Sequence, residues 1–466
     1  MNADVNQDKP QEVGTDILGW VNGLQFGRFH IVLLLLISLA VLSAGYSTQI
    51  VAFVIPSLLK EWALSPMQAG TLVSWGFAGF MLGSLFFGAA ADRLGRKKML
   101  IGTSILCSVS TGLSYYVSGF NLFCLLRFLT GLGVGGIFPL AVTIVSEFAP
   151  PHLRARLLTV AAGSYTFGWV IAALVSMALI PVFGWRIVLA VGALPLVLVP
   201  FIGFYLPESI HFLFGKTHHF SRFFMRGSAD SALGISREIS RIRRVAGVLP
   251  PIGPVRIPVS SSPPSTGRLS NLFRPGLAQM TVLLSLTYLF TSITLYGLSS
   301  WLPSLMVKAG FSLTKSFSYS MAQGIGSCLG GVLLGYLIDI FGRKQGLVLT
   351  YFCGGISVLL FSILRSGSSL YVAGVATGVF VLAAPTVLLV VCGETFATNI
   401  RSTGVGLVQA MGKAGSILGP IIGGGLQVAG FSLRQFFVIL ALPCFVCMVF
   451  VFFYRTKKKG ETLEAI

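Results

Sequence analysis

Polar and charged positions along this chain are confined to short intervals between long apolar runs. Twelve runs are long enough for a spanning helix, which needs roughly 20 mostly apolar residues to cross the hydrocarbon. They lie near 31–59, 67–90, 99–119, 122–147, 157–182, 185–206, 277–305, 317–339, 345–366, 369–392, 402–428 and 432–454. A closed β-barrel also satisfies every backbone group in lipid, but it needs short segments of alternating hydrophobicity. These runs are unbroken. The pattern predicts an all-α membrane protein with twelve transmembrane helices as two six-helix bundles. The expected order is an N-terminal tail at 1–30, bundles at 31–206 and 277–454, a linker at 207–276 between them, and a tail at 455–466.

The two bundles repeat one another at a fixed offset of 247 residues. Gly88, Asp92, Gly95 and Arg96 in GAAADRLGRKK recur as Gly335, Asp339, Gly342 and Arg343 in GYLIDIFGRK. Glu147 and Arg154 recur at the same shift as Glu394 and Arg401, and Pro56-Ser57-Leu58 as Pro303-Ser304-Leu305. In a membrane protein, two related halves suggest a carrier whose central site opens to each side in turn. The repeated charges sit at helix ends. They are expected to gate: Asp92, Arg96, Glu147 and Arg154 in one half, with Asp339, Arg343, Glu394 and Arg401 in the other, would latch the halves together at the cytoplasmic mouth. Gly88 and Gly335, one turn before each Asp, are expected to permit close helix contact.

Composition supports the class. The chain is 54% hydrophobic and 10% charged, with mean hydropathy +0.86, which excludes a soluble domain. Of its 33 Lys and Arg, 25 fall in the tails and in the loops on the same side as the tails, and 6 in the opposite loops. Because cationic loops stay in the cytoplasm, the expectation is a multi-pass cell-membrane protein with both termini cytoplasmic, in the inner membrane if the cell is Gram-negative. The net charge of +19 flanks membrane helices and so does not indicate a nucleic-acid partner. The linker holds PPIGP and SSSPPS, which favour an extended connection. Its basic stretch at 236–247 reads first as topogenic charge and second as an amphipathic helix on anionic lipid. A short interfacial helix is expected around Ile17–Phe26. The first 30 residues carry four acids, and no cleavable signal is expected there. The seven cysteines lie in or beside apolar runs and read as buried packing residues. There is no metal-ligand cluster, phosphate loop or nucleophile–base pairing, so neither an enzyme nor a cofactor is expected.

With these motifs the chain resembles the major facilitator superfamily. GAAADRLGRKK looks like its loop signature, and Arg127, Gly131, Gly133 and Gly135 in RFLTGLGVGG look like its fourth-helix signature. Pro207-Glu208-Ser209 resembles the end of helix 6, and Gly460-Glu461-Thr462-Leu463-Glu464 the sugar-porter tail. NLFRPG at 271–276 and ETFATNIRSTGVG at 394–406 are most similar to the aromatic acid:proton symporter group. The resemblance implies the major facilitator fold. In that group an Asp-Gly-aromatic-Asp cluster in helix 1 is tied to proton coupling. The aligned residues here are Ala44-Gly45-Tyr46-Ser47, with both acids gone.

Residues that break the repeat are the candidates for substrate chemistry. One repeat away from Arg127 is Gly374, and the counterpart of Lys413 is Thr166. Both cations lie within helices, Lys413 about 18 Å deep by the helical rise, and charge at such depth is costly unless functional. All 14 acids lie in tails, loops or helix ends. A cationic interior without carboxylates favours an anionic substrate. Arg127, Lys413, Tyr46, Gln49, Tyr165 and Tyr296 are therefore the candidate substrate-binding residues, with Trp169 and Trp301 as further rings. The expected function is secondary transport of a small organic anion, an aromatic carboxylate, by alternating access, with proton coupling in doubt. The alternatives are a sugar or polyol carrier, a drug efflux pump, and a ligand sensor of the same fold that does not transport. The expected partners are the anion, the lipid bilayer and, if coupling persists, protons; a monomer is expected.

Overall fold

The computed structural model describes residues 24–209, 212, 240, 269–274, 277–364, 367–397 and 400–454, with the backbone of 15–16 and 255–256. Apart from Leu24–Phe26 and Ser240, the helix expected around Ile17–Phe26, the basic stretch at 236–247 and the tail motif at 460–464 lie outside the described residues.

Twelve long helical segments follow in order. They are α1 (Arg28–Glu61), α2 (Pro66–Leu94), α3 (Arg96–Leu113), α4 (Phe120–Phe148), α5 (Arg154–Phe183) and α6 (Arg186–Tyr205), then α7 (Ala278–Lys308), α8 (Leu313–Phe341), α9 (Arg343–Ile363), α10 (Gly367–Thr395), α11 (Arg401–Val428) and α12 (Leu433–Phe452). All but α3 are long and apolar enough to cross a membrane. In α3 the first turn is Arg96-Lys97-Lys98, and five hydroxyl residues from Thr103 to Thr111 are buried. Those of Thr103, Ser110 and Thr111 donate to carbonyls three or four residues back and are satisfied within the helix, while Ser104 Oγ has no partner among the described residues.

The sequence repeat is also a backbone repeat. Gly95 (φ +106°) separates α2 from α3, and Gly342 (φ +86°) separates α8 from α9. A left-handed residue at both tight turns explains why the loop motif keeps a glycine there. In the α7–α8 turn Gly310 has φ +94°; its counterpart in the α1–α2 turn is Ala63, at φ 48°. The next helix is capped in each case, Ser65 accepting from the Gln68 amide at 3.2 Å and Ser312 from that of Lys315 at 3.4 Å.

Within each half, glycines bring crossing helices together. A Cβ at Gly79 or Gly83 of α2 would fall on the α4 backbone at Phe128 or Leu132, and one at Gly326 or Gly330 of α8 on the α10 backbone at Val375 or Val379. The halves meet through α2 with α11, α5 with α8, and α1 with α7. Their points of closest approach lie away from the face carrying the α2–α3 and α8–α9 turns. Gly70 abuts the Pro420 carbonyl, Gly424 abuts Pro66, the Phe53 and Phe317 rings are 5.1 Å apart, and Ser74 donates to the Ile417 carbonyl at 2.6 Å. On the face of the α2–α3 and α8–α9 turns, a Cβ at Gly88 or Gly335 meets nothing within 4 Å. The close contact expected of these two glycines is not made, because α2 and α8 reach the other half through their opposite ends.

Ala63 in a left-handed turn should carry about 1 kcal/mol of backbone strain. Ala63→Gly is expected to raise the unfolding midpoint, and Gly310→Ala to lower it, in thermal unfolding of the purified protein. Equal or same-sign shifts would show that the two turns are not equivalent.

Candidate functional site

The site is built on α4. Its RFLTGLGVGG segment places glycines on two faces. A Cβ at Gly131 would strike the Gly76 carbonyl of α2, one at Gly135 the Phe80 carbonyl, and one at Gly133 the α3 backbone at Thr103 and Cys107. These contacts set α4 tightly between α2 and α3, and Arg127, one turn earlier, is enclosed with them. The Arg127 side chain is 2% exposed. Its Nη2 donates to Ser114 Oγ at 3.1 Å, and its guanidinium lies 5.5 Å from the Phe123 ring centroid. Nε and Nη1 are buried with no hydrogen-bond partner among the described residues. Arg127 also lines a cavity of about 30 Å³, together with Ser47, Thr48, Phe77, Phe80, Thr130 and Val134, among others. Among the described residues no acid or histidine lines it.

The second cation packs on one of these lining rings from the other half. Lys413 on α11 is half-buried, and its Nζ stands 3.3 Å from the centroid of the Phe80 ring, a cation–π contact. Phe80 thus touches Lys413 and lines the cavity of Arg127. Beside it the rings form a file across the molecule. Phe138 to Tyr165 is 5.9 Å, Tyr165 to Trp169 6.1 Å, Trp169 to Tyr296 6.3 Å, and Tyr296 to Phe77 4.4 Å. Tyr296 belongs to α7 and the other rings to the first half.

Of the six candidate binding residues, four therefore gather here: Arg127, Lys413, Tyr165 and Tyr296. Tyr46 and Gln49 are engaged elsewhere. Tyr46 Oη donates to the Val188 carbonyl of α6 at 2.6 Å, and Gln49 Nε2 to the Ser299 carbonyl of α7 at 3.2 Å. Gln49 thus joins the halves. Trp301 donates to the Pro420 carbonyl at 2.9 Å within the second half. Phe77 and Phe80 were not among the sequence candidates. Their counterparts one repeat on are Gly324 and Ser327, so the same break in symmetry that exposes Arg127 and Lys413 also marks these rings.

The repeated charges form two clusters. Arg96 pairs with Glu147 and lies 3.8 Å from Asp92. It also donates to Ser209 Oγ at 3.1 Å, while Glu208 Oε1 accepts from the Lys97 amide at 2.9 Å. In the second half Arg343 bonds Asp339 at 2.6 Å and clasps Glu394 through two nitrogens at 2.8 and 2.9 Å. Arg401 Nε donates to the Phe396 carbonyl at 3.3 Å. Among the described residues the ion pairs of Arg96 and Arg343 stay inside one half, so each braces α2–α4 or α8–α10. Neither of these two arginines latches the halves in this conformation.

Two pseudo-symmetric six-helix bundles around a buried, unsymmetrical polar site define a secondary membrane transporter. The family model described as Major Facilitator Superfamily matches residues 37–331 and 319–465. The niacin transporter NiaP of Acinetobacter baylyi is 33% identical over 452 residues, covering 97% of this chain and 99% of that protein. The benzoate transport protein of the same species is 31% identical, covering 92% and 90%. Among solved structures, the inward open conformation of the xylose transporter XylE from E. coli superposes with a TM-score of 0.71 at 16% identity, covering 93% of this chain and 98% of that one; at this identity the likeness speaks to fold alone. The chain belongs to the Major Facilitator Superfamily, and it is a multi-pass membrane transporter.

The glycine contacts make a contrast that can be measured. Gly131→Val is expected to destabilise the protein by about 1–3 kcal/mol or more, since a side chain there meets backbone. Gly88→Val is expected to stay within about 0.5 kcal/mol. Equal loss of thermal stability in the two variants would contradict the assignment of Gly131 to the α2–α4 crossing.

Proposed function

We propose that the protein carries a small organic anion, an aromatic carboxylate, across the cell membrane by alternating access. The observation that carries this reading is the Arg127 guanidinium, buried with two nitrogens unpartnered among the described residues, on a side chain that lines a cavity. A carboxylate accepts from such a group in the fork geometry that suits it. Lys413 supplies a second positive charge, and the file of rings from Phe138 to Phe77 offers faces for an aromatic body. The names of the relatives, a niacin transporter and a benzoate transport protein, support the same class.

In this reading both termini face the cytoplasm, as the distribution of Lys and Arg favours, and the described conformation is closed towards the outside. The charge clusters at the cytoplasmic ends hold each half rigid while the halves rock. Partly exposed pairs of this kind contribute about 1 kcal/mol or less each, small enough for the two facing states to stay close in energy. Tight coupling to protons is not expected, since Ala44 and Ser47 are neutral and the cavity is lined by no carboxylate or histidine.

Uptake of labelled benzoate into proteoliposomes tests the site. Arg127→Gln is expected to raise the half-saturating concentration at least about tenfold, the effect of one lost hydrogen bond to a charged group, and Lys413→Gln to raise it less. Unchanged uptake in both variants would overturn the assignment. In the same vesicles a pH gradient is expected not to drive accumulation of a permanently charged aromatic sulfonate that the wild type exchanges. Strong uphill uptake of that probe would instead establish a coupling group that this reading lacks.

A further inference from the structure

The cavity beside Arg127 has a volume of about 30 Å³, room for one or two water-sized species and too little for an aromatic ring. It nevertheless faces a fully charged side chain that is 2% exposed and has two unpartnered nitrogens. Its lining adds the hydroxyl residues Ser47, Thr48 and Thr130 on the polar side, and the Phe77 and Phe80 rings on the other. Leaving a guanidinium uncompensated in a membrane interior costs several kcal/mol. Among the described residues no anionic group meets that charge: no carboxylate lines the cavity, and Arg127 contacts neutral Ser114 and the Phe123 ring.

We propose that this cavity binds a small monovalent inorganic anion, of the size and charge of chloride, when no organic substrate is bound. The anion serves as an exchangeable counter-charge to Arg127, and the substrate carboxylate displaces it. This rests on the reading of Arg127 as the carboxylate receiver and adds a second ligand to that site. The size of the cavity fits the sequence of events: it takes one small anion or the head of a carboxylate, while the ring of the substrate needs room that opens only as Lys413 withdraws from Phe80. Affinity for the organic anion then depends on the salt in which it is measured, beyond the screening that any salt gives.

The test uses the purified full chain in nanodiscs, with sodium chloride against sodium methanesulfonate at equal ionic strength. Chloride is expected to raise the thermal unfolding midpoint saturably. At ten times its dissociation constant it should weaken apparent benzoate affinity about tenfold, as simple competition requires. Ser47→Asp, which places a fixed carboxylate in the lining, is expected to remove the chloride response, as is Arg127→Gln. Identical midpoints in the two salts, or a chloride response that survives in both variants, would overturn the proposal; the first would leave water as the occupant and the second would place the effect at the surface. Benzoate binding that ignores chloride would overturn this inference and leave the transport reading standing. A chloride response with no benzoate binding in either salt would support the anion site and overturn the aromatic substrate.

Discussion

The structure depends on one desolvated charge. A guanidinium within a membrane-spanning helix is tolerated only where protein encloses it and something answers its charge. Here the enclosure comes from glycine. Gly131, Gly133 and Gly135 let α4 lie against α2 and α3 at backbone contact, and that closeness seals Arg127 away from lipid. Ser114 and Phe123 take up part of the guanidinium. Its other two nitrogens have no hydrogen-bond partner among the described residues, and the side chain lines the cavity. In the proposed function, the need of that group for a partner gives the empty carrier its preference for negative charge.

The rest of the molecule separates into what is symmetric and what is not. The symmetric part is scaffold. Glycine turns at Gly95 and Gly342, serine caps at Ser65 and Ser312, and the Arg96 and Arg343 clusters occur once in each half and hold that half together. The unsymmetrical part is the site. Arg127 and the Phe77 and Phe80 rings come from the first half and Lys413 and Tyr296 from the second, so the site is complete only while the halves are near one another. Motion of the halves then alters the distance between Lys413 and Phe80, and with it the space open to a ligand. A cation–π contact contributes about 0.5–2 kcal/mol, enough to bias a carrier without locking it.

Much of this was legible in the chain. Because lipid leaves so few other backbone solutions, apolar run lengths placed the helices within a few residues of their ends, except that α3 stops at Leu113, six residues before the end of its run. The fixed 247-residue offset pointed to the two halves, and its failures at Arg127 and Lys413 pointed to the residues proposed as the site. Other features depended on geometry that a run of letters does not carry. Tyr46 and Gln49 looked available because they are polar residues mid-helix, yet their tips are tied to carbonyls of α6 and α7. Phe80 carried no signal of its own in the sequence; its place depends on α11 lying beside it. The role of the repeated charges also depends on conformation: the same Asp, Arg and Glu brace one half here and were expected to latch two.

The account turns on whether charge, and Arg127 in particular, is what recognises the ligand. The most direct measurement is equilibrium binding of benzoate and its neutral analogue benzamide to the purified wild type and to Arg127→Gln. The account predicts that wild type prefers benzoate by about tenfold or more, as expected for a hydrogen-bonded charge pair, and that Arg127→Gln loses the preference. Equal affinity for the two ligands in wild type, or a preference that persists in Arg127→Gln, would contradict it.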